Sequence, residues 1–149
     1  MDIRKLLLSA FASAVAMGVL GVLWHLVILD PFYAGEFPFI QDVVRYDVIA
    51  LAYLALGFLM AIVYPKGYTG GPPTAEGFRF GIIVGLMCAL PAGMVMYAVT
   101  GAVSGALVLA EAAWHMVEQG AGGMVIAMLS GIAGEPGEER PDLGDDSLR

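Results

Sequence analysis

The arrangement of apolar residues constrains the fold of this chain more than any other feature. Four long apolar blocks follow one another, separated by short clusters of charged residues, proline and glycine. Each block can cross a bilayer as a helix, which needs about 20 mostly apolar residues and satisfies its own backbone hydrogen bonds in lipid. We predict an all-α integral membrane four-helix bundle within residues 1–132, with spans near 6–29, 44–64, 77–99 and 106–132.

The proportion of charged residues supports a membrane class. Charged residues make up 14% of the chain, whereas a soluble domain carries about 25%. Six acidic residues lie in the segment 133–149, which is also rich in glycine and proline and which we predict to be a disordered cytoplasmic tail. The sequence has no basic stripe, so we expect the lipid bilayer as a partner and no nucleic acid. The single cysteine, Cys88, lies in the third block, where we expect a buried thiol.

The lysines and arginines predict the orientation in the membrane. Arg4, Lys5, Lys66 and Arg79 fall on one side of the four predicted spans, and only Arg45 falls on the other. Because cytoplasmic loops carry the excess of positive charge, we expect both termini in the cytoplasm and a multi-pass chain in the inner (plasma) membrane. The first apolar block is longer than a signal-peptide core of roughly 7–15 residues, so we expect an uncleaved anchor.

Small residues recur at every fourth position in several spans. This spacing places them on one face of a helix, where they allow close packing in lipid. Such faces could hold the four helices together or could serve self-association, and the spacing fits both. Pro91 in the middle of the third span predicts a kink, because proline removes a backbone hydrogen bond. The positions are Ala10, Ala14 and Gly18 in the first span, Gly81, Gly85, Ala89 and Gly93 in the third, and Gly123, Ala127 and Gly131 in the fourth.

The dipeptide Trp-His occurs twice and accounts for every tryptophan and histidine in the chain. Trp24-His25 lies near the end of the first block, and Trp114-His115 lies near the start of the fourth. In a bundle of four spans, both places lie at the same membrane face and at similar depth. The two dipeptides are therefore the strongest sequence indication of a built site.

Acidic residues extend this pattern along the fourth span. Glu111, His115 and Glu118 are spaced so that they share one helical face, which Gly122 continues. Ionisable groups in membrane helices are costly and usually face the bundle interior or water. We expect Glu118, the deeper of the two acids, to be the most constrained acid of the chain.

Several interpretations of these residues remain open. The candidate metal ligands are His25, Glu111, His115 and Glu118, whose imidazoles and carboxylates suit a divalent transition metal. Two imidazoles from neighbouring helices could instead ligate haem, or the cluster could bind a proton. The simpler interpretation, which we favour at this point, is an aromatic belt at the membrane surface. Arg45 is then expected to pair with Glu111 or Asp42 in a structural role.

A set of stretches carries a resemblance to known proteins. The segment 24–33 is followed by Tyr64-Pro65, by the segment 77–81, by Tyr97 and by Glu118. In this order they resemble a group of small bacterial inner-membrane proteins with four spans and no established function. The resemblance covers residues 19–132 and implies the same topology, with an aromatic-rich first outer loop. It implies no activity.

The sequence has no Ser-His-Asp order, no Gly-rich phosphate loop and no His-Glu-x2-His zinc motif, so we do not expect an enzyme. We expect a non-enzymatic accessory or structural subunit, either self-associating as a homo-oligomer or paired with a larger membrane complex. The first alternative is a protein that binds metal, haem or protons at the outer His/Glu cluster. The second is a small-solute transporter that works as an oligomer, with Glu118 lining a cavity beside Pro91.

Overall fold

The computed structural model describes residues 2–28, 43–100 and 103–131, which form four helices and no strand. Helix α1 spans Ile3–Leu23 and continues as a π-helical turn over Trp24–Ile28. Helix α2 spans Tyr46–Gly67, α3 spans Pro73–Thr100 and α4 spans Gly105–Ser130. The all-α prediction is confirmed, and each predicted span corresponds to one helix. The predicted tail 133–149 and most of the predicted aromatic loop lie outside the described residues.

Local sequence explains where the helices begin and end. Pro73 is the first residue of α3, a position where its missing N–H costs no hydrogen bond. Ser104 caps α4, because its hydroxyl accepts a hydrogen bond from the backbone N–H of Leu107 at 3.2 Å. Gly131 ends α4 in a left-handed conformation with φ 69°, which glycine adopts without strain. Helix α3 continues through Pro91, so this proline does not end the helix.

The packing of the helices gives an antiparallel bundle with the lateral order α2, α1, α4, α3. Helix α4 packs against α3 on one side and α1 on the other, while α2 packs mainly against α1. A Cβ on Gly131 would lie 2.7 Å from Lys5 Nζ, so the end of α4 meets the start of α1. Trp24 meets Trp114 at the opposite end, which we call the tryptophan end. We call the other end the terminal end.

Helix α4 is the centre of the bundle. It contributes eleven buried residues, against six for α1, four for α2 and three for α3. The segments Ile3–Ile28, Tyr46–Gly67 and Pro73–Thr100 are long and apolar enough to cross a membrane, whereas α4 is not among them. Helix α4 carries Glu111, Glu118 and Gln119 within its length. Its polar side chains are covered by neighbouring helices, and this placement explains how a helix of its composition fits into an apolar bundle.

A seam of glycines joins α3 to α4 at backbone contact. A Cβ on Gly81 would overlap the carbonyl oxygen of Gln119, and one on Gly85 would overlap that of His115. Further contacts of this seam involve Gly77 against Gly123 and Ala127, and Gly93 against Val108, while Ala89 is half-buried. The small-residue faces of α3 and α4 therefore pack within the chain.

Two sequence expectations differ from the structure. Cys88 is exposed on the surface of α3 rather than buried. The buried side of α3 consists of Gly77, Gly81 and Gly85, and Cys88 does not lie on it. Gly131 is the C-terminal cap of α4 rather than a member of the packing seam, because the helix ends at Ser130.

Candidate functional site

The two Trp-His dipeptides meet at the tryptophan end of the bundle. The indole rings of Trp24 and Trp114 are stacked, with ring centroids 4.3 Å apart and an angle of 2° between their planes. A stacked aromatic pair contributes roughly 0.5–1.5 kcal/mol beyond the area it buries. Both rings are partly buried, so the tryptophans pack against each other instead of forming a belt of separate anchors.

Trp24 and His25 lie in a π-helical turn at the end of α1. The turn covers Trp24–Ile28, directly after the regular part of α1. A π-turn is rare, and it frequently occurs at functional sites because the extra residue changes the direction of the side chains. His25 Nδ1 lies 2.9 Å from the backbone oxygen of Gly21. This contact leaves His25 Nε2 directed toward α4.

Glu111 lies at the middle of the cluster and links both dipeptides. Trp24 Nε1 donates a hydrogen bond to Glu111 Oε1 at 3.4 Å. His25 Nε2 lies 3.4 Å from Glu111 Oε2, and His115 Nε2 lies 3.9 Å from the same oxygen. The side chain of Glu111 is 21% exposed and that of His25 is 37% exposed. This carboxylate therefore contacts both imidazoles at the partly open edge of the bundle.

Glu118 lies deeper and is fully buried, as its position in the sequence predicts. His115 Nδ1 is 3.2 Å from Glu118 Oε2, so one imidazole contacts both carboxylates. The Tyr53 hydroxyl approaches the Glu118 carboxylate from α2. Neither contact has the geometry of a well-formed hydrogen bond, and both Glu118 oxygens lack such a bond within the described residues. An isolated carboxylate buried in its ionised form would cost several kcal/mol.

Gly21 provides the space in which Tyr53 and Glu118 approach each other. A Cβ at Gly21 would overlap the Tyr53 hydroxyl and would lie 3.1 Å from Glu118 Oε1. Gly21 is itself buried. A larger residue at this position of α1 would therefore displace the Tyr53 hydroxyl from the acid.

More polar atoms are buried near Glu118 without a hydrogen bond. They include Trp114 Nε1, Gln119 Oε1 and Ser13 Oγ, all within the part of the chain that the structure describes. Gln119 Nε2 lies 3.3 Å from His115 Nδ1, and Ser13 faces Gly122 of α4. Buried polar groups in native proteins are nearly always paired. These buried atoms of α1 and α4 therefore depart from the usual pairing.

The glycine seam on α3 determines which face of α4 is turned into the bundle. Gly85 contacts the backbone of His115, and Gly81 contacts the backbone of Gln119. With α3 this close, the side chains of α4 on the opposite face point toward α1 and α2. The predicted common face of Glu111, His115 and Glu118 is therefore turned into the bundle.

The arrangement is a chain of acids and imidazoles. Among residues 2–28, 43–100 and 103–131, no three His, Cys, Asp or Glu side chains are grouped to hold a metal ion. The Nε2 atoms of His25 and His115 are both directed at Glu111. The geometry thus brings together all four candidate ligands, and it places imidazoles and carboxylates in pairwise contact at 3.2, 3.4 and 3.9 Å. Metal and haem binding stay predictions.

The structure adds residues that the sequence pattern missed. Tyr53 and Gly21 complete the surroundings of Glu118, and no local motif in α1 or α2 marks them. Arg45 pairs with Asp47 through contacts of 2.9 and 2.6 Å, so the expected pairing with Glu111 is wrong, and Asp42 lies outside the described residues. The Asp47 carboxylate raises the pKa of the Arg45 guanidinium.

Comparison with known proteins found no matching family model, no matching curated protein and no matching solved structure. The resemblance to small bacterial inner-membrane proteins therefore stays a prediction.

Proposed function

We propose that the chain is an integral protein of the bacterial inner membrane with four spans and cytoplasmic termini. Three apolar helices support the spans, and the fourth span is supported by the cover that α1 and α3 give to the polar residues of α4. The positions of the basic residues support the orientation. Arg4 and Lys5 at the start of α1 and Lys66 at the end of α2 belong to the terminal end, whereas Arg45 belongs to the tryptophan end.

We infer that this bundle binds and releases a proton at the pair formed by Glu118 and His115, as part of a proton-coupled activity. The observation that carries this inference is the fully buried Glu118 carboxylate without a well-formed hydrogen bond, 3.2 Å from His115 Nδ1. A carboxyl and an imidazole at this distance share one proton readily. A second proton or the loss of the first changes the charge of a site that has little water around it.

The remaining members of the cluster supply a route for this proton. His115 also contacts Glu111, and Glu111 contacts His25 at the partly exposed edge of the bundle. Each step is a contact between a carboxyl group and an imidazole, both of which can accept and donate a proton. The route joins the buried acid to the tryptophan end, which is the outer side in the proposed orientation.

The packing of the bundle weakens the competing interpretation as an accessory subunit. That interpretation rested largely on small-residue faces that could contact another chain. The faces of Gly81, Gly85 and Gly123 are filled by the chain's own helices. The buried cluster, by contrast, carries an electrostatic cost that apolar residues of similar volume would avoid, and this cost supports a role beyond packing.

The fluorescence of the chain tests the proton site directly, since its only tryptophans are the stacked pair beside the acids. We would titrate purified protein in mild detergent from about pH 8 to about pH 5, the range in which imidazoles change charge. Protonation of His115 or its neighbours should quench the emission of the adjacent indoles. We expect Glu118→Gln to shift the midpoint of this titration.

Glu76→Gln is the matched control, because Glu76 lies at the terminal end and accepts a hydrogen bond from Thr69 there. This variant should titrate like the wild type. If Glu118→Gln, Glu76→Gln and the wild type give superimposable curves, Glu118 takes no part in proton binding and the proposed function fails.

A further inference from the structure

A large apolar groove separates α1 from α2 at the tryptophan end. The two helices touch at Gly57, where a Cβ would overlap the backbone oxygen of Ala10. Beyond Tyr53 they diverge and enclose a volume of about 890 Å³ that remains open at one side. Ligand pockets in proteins commonly have volumes of roughly 300–1,000 Å³. The groove is therefore large enough for a small lipophilic molecule that enters sideways from the bilayer.

The lining of the groove is apolar apart from a few groups on its floor. Tyr53 and His25 supply the polar atoms, and Tyr46 adds an aromatic ring near the mouth. Gly21 also lines the floor, and behind it lies Glu118, within 3.1 Å of the position of a Gly21 Cβ. Because Gly21 has no side chain, the Tyr53 hydroxyl lies at the floor and beside the buried acid.

The charges around the floor select the sign of a ligand. Glu111 and Glu118 lie behind it, with His25 and His115 as their imidazole partners. Arg45 is the basic residue nearest to the mouth, and its guanidinium is already paired with Asp47 through two contacts. The other basic residues of the described helices belong to the terminal end: Arg4, Lys5, Lys66 and Arg79.

We propose that this groove binds a lipophilic cation, an apolar body with an amine or quaternary positive charge. The apolar walls would hold the body, and the charge would sit on the floor between Tyr53 and His25, close to Glu118. Aromatic faces such as those of Tyr53 and Tyr46 attract cations, and the Glu118 carboxylate, which His115 Nδ1 contacts at 3.2 Å, supplies the opposite charge from behind the floor. An anion would be repelled by the two carboxylates behind the floor, and a neutral molecule would gain nothing from them.

The proposal rests on the proposed proton site in one respect. If Glu118 releases its proton when the cation arrives, one positive ion replaces another. The net charge of the site then stays the same. The titratable groups that face Glu118 in the described residues are His115 and Glu111 of α4, Tyr53 of α2 and His25 of α1. A proton and the cation would therefore compete for the Glu118 carboxylate.

Two ions of nearly equal size and opposite charge provide the test: tetraphenylphosphonium and tetraphenylborate. We would measure the binding of each by isothermal titration calorimetry to the full chain in mild detergent. We expect the cation to bind at least about tenfold more tightly than the anion, and Glu118→Gln to weaken cation binding at least about tenfold. Equal affinity for the two ions would identify a general apolar groove that takes lipid chains, and would overturn the proposal.

A steric pair of variants locates the binding. Ala50 lines the groove, whereas Ala52 is exposed on the same helix outside it. Ala50→Trp should abolish cation binding and Ala52→Trp should preserve it; similar affinities in both variants would place the ion elsewhere and overturn the proposal.

The fluorescence titration separates the two claims. A wild-type protein that titrates through Glu118 but binds no tetraphenylphosphonium would overturn the groove proposal and leave the proton site intact. If Glu118→Gln changes neither the fluorescence titration nor the binding of the cation, both the proton site and the groove proposal are contradicted.

Discussion

The contact between α3 and α4 predicts an unusual response to the substitution Gly81→Ala. In an exposed helix interior, alanine is more favourable than glycine by about 1 kcal/mol. At Gly81, however, the added Cβ would overlap the carbonyl group of Gln119 without an outward shift. Ordinary contacts between heavy atoms need about 3.5–4.0 Å. The helices must therefore separate by on the order of 1 Å along the seam.

The cost of this separation exceeds the gain in helix propensity. Overpacking of a close contact typically costs about 1–3 kcal/mol, and the neighbouring contacts at Gly77 and Gly85 would loosen with it. We expect Gly81→Ala to destabilise the bundle by up to about 2 kcal/mol after the propensity gain of about 1 kcal/mol is subtracted. The free energy of unfolding would be measured by titrating the folded protein in mild detergent with a denaturing detergent.

Gly105→Ala is the matched control, because a Cβ at Gly105 of α4 meets no atom within 4 Å. This variant should be as stable as the wild type or slightly more stable. If Gly81→Ala proves as stable as Gly105→Ala, the helices do not touch at backbone distance and the described register of α3 on α4 is wrong.

Three further perturbations test other parts of the structure. Trp24→Leu should lower the free energy of unfolding by about 0.5–1.5 kcal/mol more than Tyr97→Leu, because only the first removes a stacked pair; equal losses would contradict the stack. Gly131→Ala should destabilise the chain by about 1–2 kcal/mol through its left-handed φ of 69°, whereas Gly67→Ala, which meets nothing within 4 Å, should have little effect; a neutral Gly131→Ala would argue against the cap. An alkaline phosphatase fused after Gly35 should be active and one fused after Gly70 inactive, and the reverse pattern would reject the proposed orientation.

The helices could be predicted from the sequence because the signals are local. Apolar blocks longer than 20 residues, bounded by charges and by proline and glycine clusters, define the helices within a few residues. Successive spans of a bilayer run in opposite directions, and this is the reason why Trp24 and Trp114 could be expected at the same end. The four-residue spacing of Gly81 and Gly85 identified a packing face correctly, but not its partner.

The surroundings of Glu118 could not be predicted, because they depend on contacts between helices. Tyr53 is one of several tyrosines in the chain, and only the packing of α2 on Gly21 brings its hydroxyl to the acid. The π-helical turn at Trp24–Ile28 has no distinct sequence signal, although it sets the direction of His25. The exposure of Cys88 likewise depends on which face of α3 the glycine seam occupies.

Infrared difference spectroscopy can test directly whether Glu118 binds a proton, since it detects the protonated carboxyl group itself. Spectra of the wild type recorded between about pH 8 and about pH 5 would be compared with those of Glu118→Gln and Glu111→Gln. A proton site at Glu118 predicts the carbonyl band of a protonated carboxyl group in an apolar environment, and this band should change with pH. The band should be absent in Glu118→Gln and retained in Glu111→Gln. A band that persists unchanged in Glu118→Gln, or no titrating carboxyl band in the wild type, would contradict a proton site at Glu118.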